Sequence, residues 1–265
     1  MRRYLPPTVL LAGLIALWEA ACRLGHVPPF ILPAPSTIVA TTWRLRNYLF
    51  VVHLPATLKE VAIAFAISLV VGVGLAVLMH LWAPAEHALY PLVVASQTIP
   101  LIAIAPVFLL WFGFGLGVQV AAAVLWSFFT VTVNSFDGLR AADPDLKELL
   151  RAMGAGRWRI LRLAEAPAAL PLFFSGLKVT AAFAVSGATI GEWLGGERGL
   201  GYFGRRMSAT LNAPAVFAAA LVLALLGIAC FMAVAWAERA AMPWQRRRTA
   251  AAGGLATPPP PSAPQ

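Results

Sequence analysis

The sequence predicts an all-α integral membrane protein. It reads as a bundle of about six transmembrane helices, N-in and C-in, with a two-helix cytoplasmic insert. Three observations predict this. The first is composition: of 265 residues, 60% are hydrophobic and 12% charged, with mean hydropathy +0.78. Soluble domains carry roughly 25% charged residues, so lipid must cover much of this surface. The second is block length. Crossing ~30 Å of hydrocarbon takes ~20 apolar residues, and six continuous blocks reach about that length. Membrane barrels would need ~10-residue alternating strands instead, so the spans are helices. The third is charge placement. With the N-terminus inside, thirteen Lys and Arg fall on the inner side and seven on the outer side, the bias of inward-facing loops.

The first block is about Pro6–Leu24. Met1-Arg2-Arg3 ahead of it and Ala20-Ala21-Cys22 near its end resemble a signal peptide, but the apolar run crosses that point, so an uncleaved span is expected. Pro28, Pro29, Pro33 and Pro35 then forbid a continuous helix. Ser36 or Thr37 can cap a short amphipathic helix running to about Phe50, with Trp43 and Tyr48 at the outer interface. The second span is about Val61–Trp82, the third Leu89–Phe112, the fourth Val118–Phe136, the fifth Leu172–Leu194 and the sixth Ala215–Trp236. Arg246, Arg247 and Arg248 close the membrane part, and Pro258 to Pro261 mark a disordered tail. The organisation is therefore 1–24, a first span; 25–56, an outer loop with an interfacial helix; 57–240, a five-span core holding an insert at 143–171; and 245–265, a basic, proline-rich tail.

Several function classes are disfavoured. The net charge of +9 would suggest nucleic acid in a soluble chain, but here the basic residues border the spans and no nucleic-acid partner is expected. Cys22 and Cys230 lie in apolar segments, and no Cys/His ligand spacing occurs. His80 and His87 could share one helical surface, without a third ligand. Lys59, Lys147 and Lys178 are the only lysines; none follows Gly or precedes Ser or Thr, so there is no phosphate-binding P-loop. No catalytic residue is nominated, and the chain reads as a non-enzyme.

Polar residues inside spans are candidates for a solute pathway. Gln97 precedes Pro100 and Pro106, where the helix must bend or break; this suits either a polar cavity or a packing kink. In the fifth span Gly176, Thr180, Ala184 and Ala188 recur every four residues, and Gly187 and Gly191 form a GxxxG pair. Such a stripe serves close packing, a pathway lining, or both at a dimer axis. Ser186 offers a hydroxyl beside it, and Glu192 ends the span either in a water-filled mouth or at headgroup level.

The insert is the longest polar run between apolar blocks. Asp143 can cap a helix whose first position is Pro144. Leu146, Leu149, Leu150 and Met153 give it an apolar face, Gly154-Ala155-Gly156 breaks it, and Arg157 starts a second short helix that ends at Pro167 and Pro171. Trp158 among arginines suits either a protein groove or the lipid interface.

Glu148, with Gly154 six residues on and Pro167 closing the segment, resembles the EAA loop of permease subunits of bacterial ATP-binding-cassette importers. Leu149 and Leu150 stand where that loop has alanines, and Ala164, Glu165 and Ala166 also depart from it. The likeness runs from about Phe30 to Trp244. SQTIPLIAIAPVFLLWFGFG, MGAGRWRI and GEWLGGERGLGY are similar to the nitrate/sulfonate/taurine branch, and FSGLKVTAAFAVSGATIGEWLG with MPW is most similar to permeases for pyrimidine precursors of thiamine. The resemblance implies a bacterial inner-membrane permease subunit, paired with a second permease copy and served by an extracytoplasmic solute-binding protein. It implies a cytoplasmic ATPase that binds the ATP and magnesium, so that this chain holds no cofactor itself. Glu148, Leu150, Arg151, Met153, Gly154, Ala155, Arg157 and Trp158 would then dock that ATPase. The GERGLGYFGRR loop would meet the binding protein. The alternative is an ATP-independent channel or carrier, which gives no reason for the insert.

Overall fold

The structure is a computed structural model and describes residues 5–243. Met1 to Arg3 and the whole 245–265 tail lie outside the described residues. The described part is helical, with no strand among the described residues. In chain order the helices are α1 (Leu5–Leu24), α2 (Pro35–Arg44), α3 (Leu54–Leu81), α4 (Ala83–Ser96), α5 (Leu101–Phe112), α6 (Leu116–Arg140), α7 (Pro144–Ala152), α8 (Arg157–Ile160), α9 (Ala166–Gly195), α10 (Leu200–Ala209) and α11 (Ala213–Ala241).

Among the described residues four helical stretches are long and apolar enough to cross a membrane: Asn47–Leu81, Leu116–Arg140, Arg157–Gly195 and Ala213–Ala241. The pair α4 and α5 makes a fifth if it counts as one broken span, bent by 104°. This corrects the single third span expected over Leu89–Phe112. At 14 and 12 residues each half reaches only about 20 Å at 1.5 Å per residue. The break falls at Gln97–Pro100, because Pro100 cannot donate to the helix before it and its own extended backbone starts a new one. A single residue, Trp82, in extended conformation, separates α3 from α4.

Pro167 and Pro171, expected to close the second insert helix, lie inside one continuous helical stretch. A π-helical stretch, Asn47–His53, runs directly into α3, and another, Leu161–Glu165, joins α8 to α9. Each stretch ends two residues before a proline, Pro55 and Pro167. A proline ring clashes with the carbonyl four residues back, and widening the turn to i→i+5 bonding moves that carbonyl away. The interfacial helix therefore stops at Arg44, not near Phe50. The second half of the insert is likewise the start of the fifth span rather than a separate helix. Neither Ser36 nor Thr37 caps α2: Ala34 is the cap and Pro35 takes the first position. Ser36 instead donates through its hydroxyl to Glu19 at 2.7 Å, joining α2 to α1.

The core is built around α6 and α9, which pack antiparallel along most of their length. A methyl added at Gly176 would meet Asn134 at 2.6 Å, at Gly187 the Ala123 backbone at 2.7 Å, and at Gly191 the Gln119 backbone at 2.6 Å. The small-residue stripe is thus consumed inside one protomer, which removes it as a sign of self-pairing. α3 packs on the same pair, with Ser68 and Ser127 hydroxyls 2.8 Å apart. α11 completes the bundle, and Lys178 of α9 pairs with its Glu238 at 2.8 Å.

Candidate functional site

Two sites emerge, one at each end of the α9 stretch. At the insert, Asp143 accepts from the Asp145 amide at 2.9 Å, and Pro144 opens α7 as its cap position dictates. α7 ends in a Schellman motif. The Ala155 amide donates to the Leu150 carbonyl and the Gly154 amide to Arg151, both at 2.9 Å. Gly154 sits at φ +79°, the left-handed region that glycine enters without a Cβ clash. The glycine expected from sequence to break the helix does so for this reason.

α7 buries none of its residues. Leu146, Leu149 and Met153 are exposed, and Trp158 beyond the turn is 69% exposed. Leu150 and Ala155 are half-buried; Glu148, Arg151 and Arg157 are exposed. The structure thus brings the expected docking residues into one neighbourhood around the Gly154 turn, with the apolar ones facing outward.

Behind them the insert is tied to the spans. Glu165, the residue out of place in the EAA pattern, lies 2.8 Å from His80 at the end of α3, both side chains nearly covered. Arg157 donates to the His80 carbonyl at 3.2 Å. Arg140, at the end of α6, pairs with Glu86 of α4 at 2.7 Å. His80 and His87 are not partners: they lie on different helices, and His87 meets the Ala83 carbonyl.

The other end of α9 holds a polar cage. The first four backbone N–H groups of a helix have no intrahelical partner. In α10 all four are taken by side chains of other elements. Gly199 donates to His53 Nδ1 at 3.2 Å, Leu200 to Thr57 Oγ1 at 2.9 Å, and Gly201 and Tyr202 to Glu192 Oε2. Thr57 also donates to Glu192 Oε1 at 2.5 Å. A carboxylate at a helix N-terminus is favoured by the helix dipole. Glu60 turns its carboxyl toward that of Glu192, and its Oε2 has no partner among the described residues. Glu192 is 0% exposed. α10 folds over it and closes its carboxyl from solvent. His53, Thr57 and Glu60 escaped the sequence reading, although their i, i+4, i+7 spacing puts them on one helical face.

The remaining pathway candidates divide by exposure. Gln97 and Pro100 are exposed at the α4–α5 break, and Ser186 is exposed on α9. Thr180 is fully buried with its hydroxyl unpartnered among the described residues, and Gly187 and Gly191 face α6.

Residues 68–242 match the model of a family described as the inner membrane component of binding-protein-dependent transport systems. The chain belongs to that family. A formylaminopyrimidine transport permease, ThiX, of Halalkalibacterium halodurans is 44% identical over 244 residues, 92% of this chain and 97% of the relative. The riboflavin transport system permease RibX of Chloroflexus aurantiacus is 35% identical, covering 91% and 90%. A putative aliphatic sulfonates permease, SsuC, of Bacillus subtilis is 31% identical, covering 89% and 86%. A structure of the MetNI methionine ABC transporter superposes with TM-score 0.63 at 22% identity, over 75% of this chain and 96% of that one. At that identity the match bears on the fold alone. The protein is a multi-pass permease subunit of an ATP-binding-cassette importer in the inner membrane, and the permease is the non-catalytic part of such a machine.

Proposed function

We propose that this permease is one half of a paired pore. Each copy would have six spans and both termini in the cytoplasm. A separate ATPase docks on α7, and an extracytoplasmic binding protein delivers the solute. The single observation that carries the docking is the outward apolar stripe of α7. A surface helix normally turns such residues toward its own core. Here Leu146, Leu149, Met153 and Trp158 are left uncovered around a fixed glycine turn, which suits a helix laid in a partner's groove. ATP and magnesium belong to that partner.

Force applied to α7 has a rigid route inward. The turn at Gly154 passes it to α8, which continues without a break into α9, while Arg157 and the Glu165–His80 pair couple it to α3. Two packed helices can then tilt as a unit. At the far end the α10 cage moves with α9, carrying the exposed Arg205 and Arg206 that would face the binding protein. Gln97 and Ser186, the exposed polar candidates, remain the residues proposed to line the pathway.

Gly154→Val tests the docking. A β-branched residue at positive φ costs on the order of 1–2 kcal/mol locally and breaks the turn. Uptake and co-purification of the ATPase should be lost while membrane insertion is unchanged; survival of both would refute the docking role.

For the solute we infer a pyrimidine precursor of thiamine, because the relative named for formylaminopyrimidine transport is 44% identical and those named for riboflavin and aliphatic sulfonates are 35% and 31% identical. Calorimetry on the cognate binding protein with formylaminopyrimidine, riboflavin, taurine, an alkanesulfonate and nitrate decides it. Tight binding of any ligand but the first overturns the inference.

A further inference from the structure

A cleft of about 560 Å³ lies between the insert and the ends of the spans. It is lined by His80, Glu86, Arg140, Lys147, Arg151 and Arg157, with Glu165 behind and Phe136 and Ile160 at its floor. Its charges do not balance. Glu86 is taken by Arg140 and Glu165 by His80. Lys147, Arg151 and Arg157 have no carboxylate within ion-pair reach among the described residues. Lys147 is nevertheless half-buried.

α7 sorts its side chains in an unusual way. Lys147 and Arg151, four residues apart on one face, line the cleft, while Leu146, Leu149 and Met153 face outward. The apolar face is the one proposed above for the ATPase. Lys147 and Arg151 turn from that face into the cleft, and an uncompensated cationic cleft selects an anion. Its position narrows the choice. His80 is in the last turn of α3, Arg140 in the last turn of α6, and Glu86 in the first turn of α4, so the cleft lies level with the ends of the spans. Basic pockets between helices at the cytoplasmic side are where phosphate headgroups bind, and guanidinium forks match phosphate oxygens.

We propose that this cleft binds a phosphate group, presented as the headgroup of an anionic phospholipid, wedged between α7 and the ends of α3, α4 and α6. The placement rests on the insert being cytoplasmic. The bound headgroup would hold the inner face of α7 while its outer face engages the ATPase.

The test uses the full chain in detergent, read by native mass spectrometry and thermal shift. The probes are phosphatidylglycerol, phosphatidylcholine of the same acyl chains, and inorganic phosphate. Phosphatidylglycerol should be retained and the phosphatidylcholine control should not. Lys147→Gln with Arg151→Gln should weaken phosphatidylglycerol binding at least about fivefold. Glu86→Gln, which frees Arg140, should strengthen it, a gain that misfolding cannot mimic. Protection by millimolar inorganic phosphate equal to that by lipid would keep the phosphate site but overturn the lipid source. Undiminished lipid binding in the double variant, or loss of ATPase co-purification in Lys147→Gln with lipid binding intact, would overturn the proposal. Because binding is read without transport, failure here leaves the Gly154 test of docking standing.

Discussion

The two ends of the α9 stretch are built in opposite ways. At the α10 end a carboxylate is fully enclosed, and Thr57, Gly201 and Tyr202 all bond Glu192. At the insert end apolar side chains are left in the open, with Met153 73% and Trp158 69% exposed. The first end spends polar groups on internal order, and the second withholds apolar groups from it. A buried acceptor has value only while its donors are fixed, since an orphaned partner costs far more than the bond contributes. An exposed apolar side chain contributes little to the isolated fold and gains its free energy when a partner covers it. Stability should therefore reside at the α10 end and affinity for a partner at the insert end.

Substitutions can break that division. The largest effect is expected from Glu192→Ala, which strands the Gly201 and Tyr202 amides and the Thr57 hydroxyl inside the protein. Several unsatisfied buried groups together should cost on the order of 4 kcal/mol, seen as a marked fall in melting temperature or as loss of the purified protein. A change confined to transport would show that the cage is not structural. Next, Trp158→Ala should lower the affinity for the ATPase by about 2 kcal/mol, roughly thirtyfold, and leave the melting temperature of the isolated permease unmoved. A large stability loss would mean that Trp158 packs on its own chain. The smallest effect sharpens the comparison from between the two ends. Glu165→Ala removes the tie to His80 and should cost about 1 kcal/mol. It should also lower uptake per ATP hydrolysed, because the insert would move without pulling α3. Unchanged coupling would place the force route elsewhere.

Much of the insert site was legible in the chain, for local reasons. Asp143, Pro144 and Gly154 act through their own backbone, and a cap or a left-handed turn needs only neighbours in sequence. Long apolar blocks revealed the spans because hydrocarbon thickness sets a length. The α10 cage was not legible, because it joins Thr57 to Glu192 across 135 positions and neither residue announces its partner. Glu165 looked anomalous for the same reason: His80, 85 residues earlier, explains it. The stripe of Gly176, Gly187 and Gly191 declared close packing but could not say against which helix. Proline misled at Pro167, since its rule assumes an α-helical turn.

Those two π-helical stretches have a consequence for chain length. Each holds one residue more per turn than the helix around it, a surplus stored without a kink. A chain one residue shorter within Leu161–Glu165 would close the turn to ordinary helix and set the Pro167 ring against the carbonyl four residues back. One residue lost between Ala166 and Gly195 would instead rotate the glycines off α6. A one-residue deletion in either short segment should therefore be tolerated only when Pro55 or Pro167 is replaced along with it, since those prolines made the wide turns necessary.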